Sequence, residues 1–409
     1  MNDLTHIKEE LILMIVSNFC NSKQCNGTDS LTIKKKYSNA NLKTAILDLL
    51  YNDKINIIAA EHDINHHIIR NGFVSLDKQI EYIQQHGIEG DFCLYPSNNY
   101  LKQNYEEHNL VAQYPFLKLL KTGMPHNKTL FFEWGVLFKY YSDPRYVFHF
   151  SDYLGSISSS EHIKEDNQIT LQTFGVGKNK EGNHVVAAYL KDLAKMASNC
   201  QIEWYSMLEN NQEECRVLKN YLDNTNDCWN FNDTVYTSIL KEISNINILT
   251  DTIWKSTLFR KDYKDNKPVD FDMLYLPTRK IYYDFISLFE KIVVHNFNAK
   301  FFEVIGIQNK DSKDKKLGTL ECLKRWIKVV NSDFVDDIHS PLNLLRKERQ
   351  KPAHEVYEDE YNLNYFDEQN KLTNNVFNAL KLLRRLIQTH PKASDIELPY
   401  KNTETYLII

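Results

Sequence analysis

Glycine and proline are scarce in this chain, 12 and 10 among 409 residues, which excludes long disordered linkers. An excess of basic residues is missing too: 49 Lys and Arg are outweighed by 54 Asp and Glu, for a formal net charge of −5. No global cationic field therefore draws the chain to nucleic acid, and any such contact must come from a local basic cleft. Long apolar runs are absent. Residues 11–16 are apolar but far shorter than a membrane span, and no membrane partner is expected. The opening residues, with Asp3, Lys8, Glu9 and Glu10, do not read as a secretory leader. The seven cysteines (Cys20, Cys25, Cys93, Cys200, Cys215, Cys228 and Cys322) are odd in number and scattered. Their spacing gives neither a disulfide framework nor a zinc pattern, so reduced thiols in a cytoplasmic protein are expected, with no metal and no cofactor.

Aromatic residues are abundant, with 24 Tyr and 21 Phe, and the 42% hydrophobic fraction is that of a globular protein. The length calls for two or three domains. The pattern along the chain reads as mainly α with α+β parts. Leu4, Ile7, Leu11, Met14 and Ile15 make a helical stripe. After a polar break comes Lys34-Lys35-Lys36, then a second helix, capped by Asn39 or Asn41, through Leu42, Ile46, Leu49 and Leu50. The runs 55–58 and 67–70 flank a polar turn and read as a hairpin, so residues 1–75 have the layout of a winged helix. Such a module serves either DNA binding, here through residues 4–75 with Lys34–36 and Lys43, or protein interaction. In that hairpin Glu61, His62, Asp63, His66 and His67 cluster. Strand alternation sends neighbouring side chains to opposite faces, so a solvated wing is expected there rather than a metal site.

Residues 76–265 read as an α+β middle domain with a sensor or regulatory role. Helix is expected over 76–88, strands over 145–150 and 169–174, and a strand running into helix over 185–196. Phe131, Phe132, Trp134 and Phe138 offer rings for base stacking but read as core. Gly177 and Gly182 have phosphate-loop spacing, yet Asn183 and His184 follow where Lys and Ser or Thr are needed, so a hairpin turn is expected. Residues 275–395 carry four apolar stripes: Ile281, Phe285, Leu288, Phe289 and Ile292; Leu320, Leu323, Ile327 and Val330; Leu342 and Leu345; and Val376, Leu380, Leu383 and Ile387. Four amphipathic helices with modest loops argue for a bundle. Between the stripes lie a charged loop at 310–316 and an acidic turn at 333–337.

The third helix, read as starting near Pro341, ends in Arg349-Gln350-Lys351-Pro352-Ala353-His354. Arginine and histidine at this spacing arise about once by chance in such a chain. The spacing indeed recurs where Arg384 and Arg385 precede His390, a pair that reads as favourable charge at a helix C-terminus. Context separates the two. Arg349 continues the stripe of Leu342 and Leu345, which aims it at a core, a cleft or a partner, where a guanidinium needs an anion. Pro352 then disfavours further helix and can turn His354 back toward Arg349.

The segment 344–354 resembles the signature of the HEPN superfamily: Arg, four to six residues, then His, with a polar residue after the arginine. Gln350 fills that slot, where asparagine, aspartate or histidine is more usual. The resemblance covers about 275–392. It implies a HEPN-like four-helix bundle, a metal-independent endoribonuclease and a homodimer whose two Arg–His pairs face one cleft. By the same resemblance Arg349 holds the scissile phosphate, His354 exchanges a proton with the 2′-hydroxyl or the leaving 5′-oxygen, and Gln350 and Lys351 position the RNA substrate. HEPN ribonucleases serve as toxins in bacterial antiphage defence, which implies an antitoxin or sensor protein as a partner. Alternatives remain open: a winged-helix DNA-binding regulator, or a non-catalytic HEPN-like interaction protein in which Arg349 forms only a buried salt bridge.

Overall fold

The stripe that opens the chain becomes a 20-residue helix, α1 (Asn2–Asn21), in a computed structural model that describes residues 2–22, 24–37, 39–104, 113–151, 153–217, 221, 234–263, 266–310, 312–353 and 358–400. The fold is mixed α and β, in two compact units: Met1–His149 with Leu154–Val217, and Phe150–Tyr153 with Leu218–Ile409.

In the first unit α1 is followed by β1 (Thr28–Asp29), α2 (Ser30–Lys34), α3 (Asn39–Tyr51), β2 (Ile55–Ala59), α4 (Leu76–His86) and β3 (Phe92–Pro96). The strands form an antiparallel sheet of order β1-β3-β2. Ile7, Leu11 and Ile15 of α1 pack with Leu42, Ile46 and Leu49 of α3, Ile55 and Ile57 of β2, Ile83 of α4 and Leu94 of β3. The expected hairpin between 55–58 and 67–70 does not form. Strand β2 pairs instead with β3, Ile57 opposite Leu94, and residues 60–70 run as turns. The reason lies in β3: Phe92-Cys93-Leu94-Tyr95-Pro96 is buried at every position, so it lacks the alternation that marks a half-exposed strand. A boundary at 75 therefore cuts this sheet. Gln79 of α4, buried beside β2, accepts from Ile57 N and donates to Asn56 and Val74, which serves an outer strand's open backbone.

The rest of this unit is built on a second sheet: β4 (Thr129–Glu133), β5 (Tyr146–Ser151), β6 (Leu154–Ser159), β7 (Thr170–Lys178), β8 (His184–Tyr189) and β9 (Arg216–Val217), in the order β4-β8-β7-β6-β5 with β9 beside β7. Helices α5 (Asn98–Asn104), α6 (Pro115–Lys121), α7 (Phe138–Ser142), α8 (Leu190–Leu193) and α9 (Ser198–Ser206) complete it. The rings offered for base stacking belong mainly to the core. Phe131, Phe132 and Trp134 are buried, and Phe132 meets Trp204 at 4.9 Å. The two glycines at phosphate-loop spacing bracket a β7–β8 hairpin: Lys178 lies opposite His184, and Gly182 takes φ 84° between them.

The second unit is helical: α10 (Val235–Trp254), α11 (Arg279–Ile292), α12 (Ala299–Val304), α13 (Thr319–Val330), α14 (Val335–Gln350) and α15 (Asn364–Gln388). Helix α15 packs along α10 and α14, and α14 also packs on α11 and α13. All four sequence stripes appear as helices, with Phe285, Phe289, Leu323, Ile327, Leu342, Leu345, Leu380 and Leu383 in the core. Three expectations change. Helix α10, assigned to a middle domain ending at 265, belongs to this unit; its inward face carries Ser238, Ser244 and Asn245 among the isoleucines, which hides the stripe. Pro341 lies inside α14 rather than at its start. The acidic stretch 333–337 is a 3-10 turn leading into α14, with Asp336 and Asp337 in the first turn, where the helix dipole favours them.

Candidate functional site

Helix α14 ends at Gln350, and Pro352 sits in a 3-10 turn of Lys351–Ala353, the break its missing N–H predicts. Leu342 and Leu345 are buried, but one turn later Arg349 is exposed. Its guanidinium thus leaves the core stripe and lines a cleft of about 440 Å³ with Arg346, Gln350, Glu290, Lys291, Val294, His295, Gly318 and Thr319. Arg349 is exposed, and among the described residues no ion pair or hydrogen bond holds it.

Three elements converge on this cleft. Arg346 and Arg349, three apart on α14, share a helix face. Lys291 comes from the last turn of α11, and the chain beyond brings His295 back, with His295 N donating to Glu290 O at 2.9 Å. Gly318 and Thr319 open α13, whose first turn has no side-chain cap, so its free N–H groups and positive dipole end belong to the same wall. Glu290, only 8% exposed, is the one acidic side chain of the lining. The arrangement suits an anion: two guanidiniums and an ammonium for phosphate oxygens, with the His295 imidazole beside them.

The sequence-assigned residues separate here. Arg349 and Gln350 share the cleft. Lys351 lies outside its lining and donates to Glu348, 2.6 Å away; that carboxylate raises the Lys351 pKa. His354 lies outside the described residues. Sequence reasoning missed His295, Lys291 and Arg346. The first two stand more than 50 positions before Arg349, a separation no local motif spans, and only the i,i+3 spacing of Arg346 and Arg349 was visible.

The repeat of the motif at 384–390 is more than a charged helix end. Arg384 Nε donates to Glu242 Oε2 at 2.6 Å inside the α10–α15 interface, and His390 packs its ring on Trp254 at 5.2 Å. Three of the four basic residues proposed for DNA are locally engaged: Lys34 lies 3.6 Å from Glu89, Lys36 3.7 Å from Glu10, and Lys43 donates to Gln84 O. The six described cysteines are buried and form no disulfide with one another, and no described helix is long and apolar enough to cross a membrane. No protein-family model, curated protein or solved structure matches this chain.

Proposed function

We propose that this protein is a metal-independent endoribonuclease effector of the HEPN-like kind, a toxin of bacterial antiphage defence acting in the cytoplasm as a homodimer. The observation that carries the reading is the gathering of Arg346, Arg349, Lys291 and His295 on one cleft at the end of α14. In this reading Arg349 binds the scissile phosphate and stabilises its developing charge. His354 takes the proton of the ribose 2′-hydroxyl or gives one to the leaving 5′-oxygen. The 2′-oxygen attacks phosphorus and the P–O5′ bond breaks, leaving a 2′,3′-cyclic phosphate and a 5′-hydroxyl. Gln350 positions backbone oxygens. Lys351, held by Glu348, orders the turn that leads to His354.

A second reading assigns function to the first unit. Helices α1 to α3 and a sheet of order β1-β3-β2 support a winged-helix-like module with residues 60–91 as an enlarged wing. Lys43 is the one basic residue of α3, which favours a sensor, an antitoxin or another protein as partner over a DNA groove.

One experiment separates these readings: labelled RNA with full-length protein in excess EDTA, alongside Arg349→Ala and His354→Ala. The expected result is cleavage in the wild type and a loss of about 10²-fold or more in each variant. Equal cleavage by all three proteins would overturn the assignment of the site. Intact RNA, with Arg349→Ala disturbing self-association, would make the bundle an interaction module. Intact RNA with salt-dependent duplex DNA binding through Lys35 and Lys43 would move the function to the first unit.

A further inference from the structure

The turns that replace the expected hairpin bring together three side chains that strand alternation would have kept apart. His66 and His67 are neighbours in sequence, but residues 60–70 are not a strand, and their rings lie 4.3 Å apart at an interplanar angle of 34°. Cys93 of β3 stands against them, fully buried, with Sγ 3.3 Å from His67 Nδ1. One ligand atom from each of the three falls within 4.8 Å of the others. Zinc bound at about 2.3 Å to sulfur and about 2.0 Å to nitrogen sets a tetrahedral S···N edge of about 3.5 Å. The Cys93–His67 spacing is close to that edge.

A second observation concerns one of these histidines. His66 is 8% exposed, and its Nε2 is buried with no hydrogen-bond partner. Asp91 Oδ1 is 3.1 Å from that nitrogen but outside hydrogen-bonding geometry. A buried imidazole nitrogen without a partner costs free energy, and a metal ion resolves that cost. The scaffold is fixed at each corner. Tyr95 OH donates to His66 O at 2.6 Å, and Gly27 N donates to His67 O at 3.1 Å. Gly27 is pressed so close that a Cβ there would meet Cys93 Cβ at 2.8 Å. The other members of the sequence cluster turn elsewhere, His62 to Glu61 and Asp63 to Arg70.

We propose that His66, His67 and Cys93 bind a zinc-class divalent cation. The donor set of two imidazoles and one thiolate selects a borderline-soft ion over magnesium or calcium. The ion ties the long β2–β3 connection to the centre of its sheet, as a clip closing a loop. Burial pushes the Cys93 thiol up to about 12, so the thiol enters the site protonated. Binding exchanges that proton for the metal: the S–H bond breaks, an S–metal bond forms, and one proton leaves to solvent.

The test uses the full chain, stripped with chelator and titrated with Co²⁺. One equivalent should bind, with the d–d bands of a tetrahedral ion and a thiolate-to-cobalt charge-transfer band, and Zn²⁺ should bleach both. A weakly buffered titration should release one proton per ion. Cys93→Ser should abolish the charge-transfer band. Because Cys93 is in the core, His67→Gln at an exposed position provides a second variant, expected to keep the far-UV circular dichroism and to weaken Co²⁺ binding at least tenfold. Absence of the charge-transfer band in the wild type, its survival in Cys93→Ser, or unchanged affinity in His67→Gln would overturn the site. None of these readouts depends on RNA cleavage.

Discussion

His184 shows how burial sets the chemistry of a single residue. It sits in β8 opposite Lys178, 7% exposed, and desolvation, with Lys178 adding, holds its pKa down at about 3. His126 is lowered for the same leading reason, although Ile69 O and Gln24 O flank its ring. In the unfolded chain an imidazole takes its proton near 6.5, whereas folded His184 does not until about pH 3. The stability due to neutral His184 is thus fully present above pH 6.5 and is lost as pH falls toward 3, at up to ~1.4 kcal/mol per unit. Urea midpoints taken between pH 7 and pH 4 should show this slope, and His184→Gln should flatten it. Parallel slopes in the two proteins would show that another group carries the acid sensitivity. Nothing in the sequence reveals this, because His184 entered the reading only as the residue that spoils a phosphate loop.

At the scale of elements, legibility followed the cleanness of each stripe. Helices α11 and α13 carry clear apolar stripes that located them within a few residues, whereas the stripe from Val376 marks only the second half of α15, whose buried face also holds Gln369 and Thr373. Helix α10 falls in a stretch, 201–262, that reads as mostly helical, but the Ser and Asn on its buried face left no stripe to join it to the later bundle, and β3 was missed because it is buried on both faces. The cleft was half legible. Arg349 and Gln350 lie in a local motif, but His295 and Lys291 reach it through helix packing, which spacing along the chain does not encode. The α10–α15 contact also carries a buried ion pair. The Arg384 side chain is 13% exposed and that of Glu242 fully buried, so the pair is shielded from water. Arg384→Ala should cost about 3–5 kcal/mol in denaturant unfolding, because it takes a charge-assisted bond from a fully buried carboxylate. Arg349→Ala, on an exposed face, should stay within about 0.5 kcal/mol of the parent. If Arg384→Ala proved as mild as Arg349→Ala, the buried ion pair would not hold the α10–α15 contact.

For the whole molecule the governing quantity is a net charge of −5 carried by a protein proposed to grip a polyanion. RNA cannot be held by the general field and must be held where cations are concentrated, against repulsion elsewhere. In the described cleft those cations are Lys291, Arg346 and Arg349. Each phosphate neutralised on a single strand contributes about −0.7 to the slope of log K against log salt. One cleft therefore predicts a slope of about −2, and two protomers gripping one strand, as a homodimer requires, about −4. Fluorescence anisotropy with a short single-stranded RNA and His354→Ala, which should bind without cutting, gives the number directly. Lys291→Ala should reduce the slope by about 0.7 for each cleft engaged, while leaving the helical fold intact. Repeating the titration across protein concentrations that span self-association should move the slope from the lower value to the higher. A flat salt dependence, or one indifferent to Lys291→Ala, would mean that RNA does not enter this cleft and that its cations serve some other anion.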